Sequence, residues 1–252
     1  GYYAEIDRDV AVSYGADLGK GFEFSSYVPA TGKNPTDLAF DDTFTTDVFS
    51  IFGQYSIDLS DATELSLEGR YDKEKRSVDN NVPARSSALY YGGGAPINPA
   101  MTAGGSKIPS RDKSYDQFQP KISLTTTAEN TTIYASYGVG FRSGGFNSSG
   151  SAALINSQLN IPISAGLGVS DSFNKEVSKS FEVGFKGRYL DGRLAINGAL
   201  FETEVDDNQF FEFFAGPWGL LRVVTSIDQL DISGSELDFK YALTDSIKLD
   251  GG

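Results

Sequence analysis

The ionisable residues exclude more chemistry than they offer. The 252-residue chain contains no His and no Cys. Neither a Ser–His triad nor a thiolate nucleophile can therefore be assembled, and imidazole and thiolate metal ligands are absent. Carboxylates remain, with Asp206-Asp207 and Glu202/Glu204 near enough to one another for acid–base or calcium work. They lack the ligand spacing and central Gly of an EF-hand loop, so they read as solvated charges at a loop rim. Arg142 closes a stretch of alternating residues and opens onto Ser143-Gly144-Gly145-Phe146-Asn147. A guanidinium in that position can hold an anionic ligand by bidentate hydrogen bonds, or anchor the loop to a neighbouring carboxylate. The glycines are not a phosphate loop, because no helix follows them. Two aromatic clusters lie in segments without periodicity: Tyr90-Tyr91, and Phe210, Phe211, Phe213 and Phe214 with Trp218. Tyr90, Tyr91 and Trp218 join Arg142 and Asn147 as candidate ligand contacts. Phe210 and Phe211 are expected in an interfacial aromatic girdle. No catalytic residue, metal site or cofactor is expected.

These residues must be positioned by strands. In the stretch from Asn130 to Asn147, Ile133, Ala135, Tyr137, Val139 and Phe141 fall on one face, and Thr132, Tyr134, Ser136, Gly138, Gly140 and Arg142 on the other. A period of two over so many residues is a strand long enough to cross a bilayer at a tilt. The same alternation sets Leu65, Leu67 and Tyr71 against Glu64, Glu68, Arg70 and Asp72. It also sets Phe181, Val183 and Phe185 against Glu182, Lys186 and Arg188, and Leu237, Phe239 and Tyr241 against Glu236, Asp238 and Lys240. Between Thr43 and Leu59 only Phe52 spoils the polar set. Pro120 lies on an apolar face and asks for a bulge or strand start nearby. Short turns are expected near residues 60, 129, 191 and 245, the Asp191-Gly192 pair favouring positive φ. Long loops are expected at about 13–41, 78–112, 143–174 and 206–221. Strict short/long alternation puts all short turns at one end of the sheet, the plan of an outer-membrane barrel. Strands of about 13 to 17 residues overtop its apolar band.

The totals agree with that plan. The 28 Gly, 18 Phe and 13 Tyr suit β architecture, and no apolar run is long enough for a transmembrane helix. A net charge of -13 argues against a nucleic-acid partner. The fold class expected is all-β: an antiparallel up-and-down transmembrane β-barrel, incomplete, with about eight or nine strands of a larger barrel. Apolar sets should face lipid and mixed-charge sets the lumen, where they form a hydrated lining with cross-strand ion pairs or touch a plug or solute. Both ends of the chain read as cuts through strands.

Four stretches carry a family resemblance: Ser50 to Lys75, Phe118 to Asn147, Lys175 to Gln209 and Ile232 to Leu243. With the phrase GFRSGGFN and the Glu182-x-Gly184-x-Lys186 strand, the chain resembles the β-barrel domain of TonB-dependent outer-membrane receptors. Members of that family have barrels of about 22 strands with a plugged lumen. The resemblance implies a single partial barrel domain over 1–252, with the plug and the TonB-engaging segment elsewhere in a parent chain. It implies active uptake of a scarce nutrient across a Gram-negative outer membrane, energised through TonB. The cargo implied is usually a ferric siderophore, and the other partners are outer-membrane lipid and the plug domain. A passive porin and a secreted soluble β-rich binding protein remain the alternatives.

Overall fold

The computed structural model describes residues 1–15, 36–81, 108–156, 168–216 and 219–252. Nine strands form one antiparallel sheet: β1 (Tyr2–Gly15), β2 (Thr36–Ser60), β3 (Thr63–Asn80), β4 (Arg111–Ala128), β5 (Thr131–Arg142), β8 (Glu176–Tyr189), β9 (Leu194–Gly216), β10 (Gly219–Ala242) and β11 (Lys248–Gly251). Their order in the sheet is their order in the chain, so every connection is up-and-down, and β1 and β11 are the outermost strands. Between β5 and β8 come a two-strand ribbon, β6 (Gly145–Phe146) with β7 (Ser172–Phe173), and one turn of helix, α1 (Ser151–Ile155).

The alternation survives as two faces. Register places Tyr55, Leu67, Ile122, Tyr137 and Phe181 in one cross-strand row, and Ile57, Leu65, Leu124, Ala135, Val183 and Leu200 in the next. These rows stay open, with Tyr55 68% and Leu200 58% exposed, as does Leu237 of β10 on the same face at 61%. Among the described residues no second layer covers them. The opposite face carries ion pairs and hydrogen bonds between neighbouring strands, among them Lys121–Glu68 at 3.2 Å, Asn197–Asp238 at 2.9 Å and Tyr134–Glu182 at 2.6 Å. Phe52 sits on this polar face opposite Arg70, whose guanidinium lies 5.9 Å from its ring. The apparent error in the pattern is thus a cation–π contact.

Charged residues enter the apolar face near a common height. Lys73, Lys179, Glu204 and Asp231 each stand ten residues along their strands from Thr63, Tyr189, Leu194 and Tyr241, the paired residues beside the short turns. Ten tilted residues rise roughly 25 Å, the height of a barrel's apolar band. Lys179 there reaches Glu204 at 2.8 Å and Asp206 at 2.9 Å.

The short turns fall where the spacing predicts them. The turn after β8 takes three left-handed residues, Leu190 (φ 56), Asp191 (φ 54) and Gly192 (φ 83). The expected strand lengths and two other expectations require correction. Apart from the four-residue β11 at the sheet's end, strands of the large sheet run from 12 residues in β5 to 25 in β2, beyond the expected range at both ends. The expected loop at 206–221 is strand: β9 and β10 pair continuously from Gly216↔Gly219 down to Leu194↔Tyr241, missing only at Asp207, whose φ is 54, and Asp228. One left-handed residue within the polar run Asp206-Asp207-Asn208-Gln209 breaks the alternation locally without ending the pairing. Pro120 pairs with Gly69 in an unbroken register, with no bulge. Pairing of β4 to β5 ends at the adjacent Lys121, so the missing N–H falls where that ladder has already stopped.

Candidate functional site

Above the apolar belt the chain from Ser143 to Phe173 leaves β5 and lies over the polar face of the sheet. Two glycines let it turn inward. A Cβ on Gly144 would meet the Tyr115 ring and the Phe173 carbonyl oxygen at 2.6 Å, and one on Gly145 would meet the Phe173 ring at 2.7 Å. Tyr115 donates to that carbonyl at 3.3 Å, and burial pushes its phenol above the usual range, so it stays a donor. Asp171 organises α1 by accepting from the N–H groups of Gly150 (3.0 Å) and Ala152 (2.7 Å). The buried Asp42 of β2 accepts from Ser149 N–H at 2.9 Å and from Asn80 at 3.1 Å. Leu154 and Ile155 then complete an apolar cluster with Phe40 of β2 and Leu221 and Val223 of β10. Strands far apart in sheet order are thereby tied together through one loop, and the sheet curls around it.

The curl forms an open cleft of about 780 Å³ between β1–β3, the loop and the upper part of β9–β10. Its ionisable lining is Arg8, Arg76, Arg142 and Arg222 against the single carboxylate Glu74. Arg76 is bound to Glu74 at 2.8 Å. Arg8 lies 4.6 Å from the Phe44 ring, and Arg222 lies 4.4 Å from that of Phe211. Arg142 faces Glu176 across the β5–β8 ladder, yet that carboxylate accepts from Asn208 (3.1 Å) and Gln209 N–H (2.7 Å). Arg142 has no ion pair with another described residue. Tyr2, Phe146 and Phe173 supply aromatic surface.

Of the residues expected to touch ligand, the structure brings Arg142 and Asn147 to this cavity. The Asn147 amide is already engaged, donating to the Ser170 and Val224 carbonyls at 2.9 Å each and accepting from Val224 N–H at 2.8 Å. Tyr90, Tyr91 and Trp218 lie outside the described residues. Phe210 and Phe211 pair with Thr225 and Val224, some sixteen residues up from Leu194 and beyond Glu204. Arg8, Arg76 and Arg222 carried no expectation. Arg222 had a usable signal, a lone cation inside the apolar run Leu220-Leu221-Arg222-Val223-Val224. Arg8 and Arg76 sit among ordinary strand charges and had none.

A family model described as TonB dependent receptor-like, beta-barrel, matches residues 2–252. The chain belongs to the TonB-dependent receptor family. Membership separates it from the passive porins that share its strands and turns. Among solved structures, this receptor chain is similar to the ferric yersiniabactin uptake receptor FyuA from Yersinia pestis, with TM-score 0.58, 16% identity, and 83% of this chain against 26% of that one covered. It is also similar to the siderophore receptor PiuA from Acinetobacter baumannii, with TM-score 0.56, 18% identity, and coverage of 96% against 32%. At such identities the likeness establishes the fold, and the receptor chain described here spans about a quarter to a third of those lengths.

Proposed function

We propose that the chain is part of an outer-membrane receptor that actively takes up a scarce nutrient as a small metal chelate, a ferric siderophore in the first instance. Energy reaches it through TonB, acting on a plug domain carried elsewhere in the parent chain. The arginine-lined cavity at the loop end of the sheet supports this reading most directly. It lies on the side away from the short turns, where a solute arriving from outside meets the barrel first. Its volume is within the range of small-molecule sites, and its aromatic and guanidinium lining suits a planar, oxygen-rich ligand. The outward apolar belt suits residence in a bilayer, with polar groups held on the other face. The names of FyuA and PiuA point to the same class of cargo. A receptor of this kind transports its cargo and does not transform it.

The test is accumulation of radioactive iron by Gram-negative cells whose sole route for a siderophore is the intact receptor containing this chain. Uptake should be saturable and should vanish when TonB is deleted or the proton gradient collapsed. Iron uptake that continues undiminished without TonB would refute the coupling. Absence of uptake for every ferric chelate offered would refute the cargo.

A further inference from the structure

We propose that the segment from Ser143 to Phe173 is a permanent brace across the loop end of the sheet and not a lid. It stays docked while cargo passes, so cargo goes by the open cleft on the β1–β3 side. The path of the cargo rests on the uptake reading above, whereas the fixity of the brace stands on its own contacts. A lid is drawn from the least stable part of a fold, where few contacts are buried. The described parts of this segment, residues 143–156 and 168–173, are instead held from both flanks of the sheet at once. On one flank, Asp42 of β2 takes the Ser149 N–H, and Phe40 packs in one cluster with Leu154 and Ile155 of α1. From β4, Arg111 reaches Asp171 at 3.7 Å and lies 5.2 Å from the Phe146 ring. On the other flank, Asn147 binds both the N–H and the carbonyl of Val224 in β10.

Undocking would break all of these together. Phe40, Leu154, Ile155 and Val223 have no exposed surface and would meet water at the same time. The buried Asp42 carboxylate would lose the Ser149 N–H, a charge-assisted hydrogen bond. Nor do the ends offer a hinge, which needs residues that can absorb a change in φ and ψ. Gly144 and Gly145 are closed in by the Tyr115 and Phe173 rings. The Gln209 amide of β9 donates to the Ser143 carbonyl at 2.8 Å and to the Asn174 carbonyl at 3.0 Å, so one side chain clasps both ends. Asn174 in turn donates to Asp207, the left-handed residue of β9, at 3.0 Å. The clasp therefore sits where that strand departs from regular pairing.

Two sets of variants of the intact receptor, in cells, test the brace. This chain has no cysteine, so introduced thiols are the only ones it contributes. In the first set, Asp42→Cys with Ser149→Cys is oxidised to tie the segment to β2. Radioactive iron is then supplied in turn as a ferric tricatecholate and a ferric trihydroxamate. Uptake by the oxidised form should stay within about twofold of that by the same variant reduced. In the second set, Leu154→Cys should react with a membrane-impermeant maleimide at least about tenfold more slowly than Leu220→Cys, at rest and during uptake alike. Heat-modifiable gel mobility verifies that each variant is folded. Uptake that stops on oxidation and returns on reduction would overturn the brace in favour of a lid. So would labelling of Leu154→Cys as fast as Leu220→Cys, or labelling that speeds up when either chelate is added. If the double variant transports in neither redox state, the labelling rates alone decide. An intact receptor that accumulates neither chelate, with Leu154→Cys still protected, would count against the uptake reading and leave the brace standing.

Discussion

Asn147 illustrates how one side chain substitutes for a strand. Its amide matches the N–H and C=O of Val224 at once, so it pairs with the outer edge of β10 as a backbone unit would. Asn147→Ala deletes these bonds and the one to Ser170, at about 1–3 kcal/mol for the local structure. Hydrogen exchange should then accelerate at Val224 and over 145–156, with strands β2–β5 unaffected. Unchanged exchange combined with weakened chelate binding would instead make Asn147 a direct ligand contact. Arg142 could be singled out in the sequence because a charge ending a clean alternation and followed by Gly-Gly is visible locally. The other cavity arginines could not, because their convergence depends on the loop core of Phe40, Leu154, Ile155, Leu221 and Val223 that curls the sheet. That core draws on residues from three distant segments and has no local signature.

At the scale of the strand, the outward face should tolerate little charge. Leu200 stands six residues above Leu194, near mid-belt, and is open to the surroundings. Leu200→Arg should cost about 2–4 kcal/mol in the unfolding free energy of the intact receptor in bilayers. Lys121→Gln, which removes the half-exposed pair with Glu68 from the other face, should cost less than about 1 kcal/mol. Close approach between strands is a second constraint. A Cβ on Gly184 would lie 2.6 Å from the Tyr134 hydroxyl and 2.7 Å from the Gly198 carbonyl oxygen, and backbone cannot step aside. Gly184→Ala should destabilise the barrel by about 1–3 kcal/mol, seen as a lower temperature for the heat-modifiable shift. Strand existence, face and short turns were all readable, because a period of two and Asp-Gly chemistry are local. The upper half of β9–β10 was not, because the left-handed Asp207 and the run of phenylalanines after it imitate a loop.

For the molecule as a whole, the two faces define inside and outside. Spin labels at Leu65 and Leu237 should broaden with a lipid-soluble relaxant, and labels at Glu64 and Glu236 with a water-soluble one. Equal response to both reagents at all four sites would contradict the orientation. The level marked by Lys73, Lys179, Glu204 and Asp231 acts as a waterline. Beyond it β9 and β10 continue for about another dozen residues, or roughly 30 Å of tilted hairpin. Phe213 and Leu220 are exposed near the end of this ribbon, on the side of the sheet away from the short turns. Immunoglobulin raised against residues 208–227 should stain unpermeabilised bacteria that carry the intact receptor, and staining only after permeabilisation would reverse the orientation of the sheet.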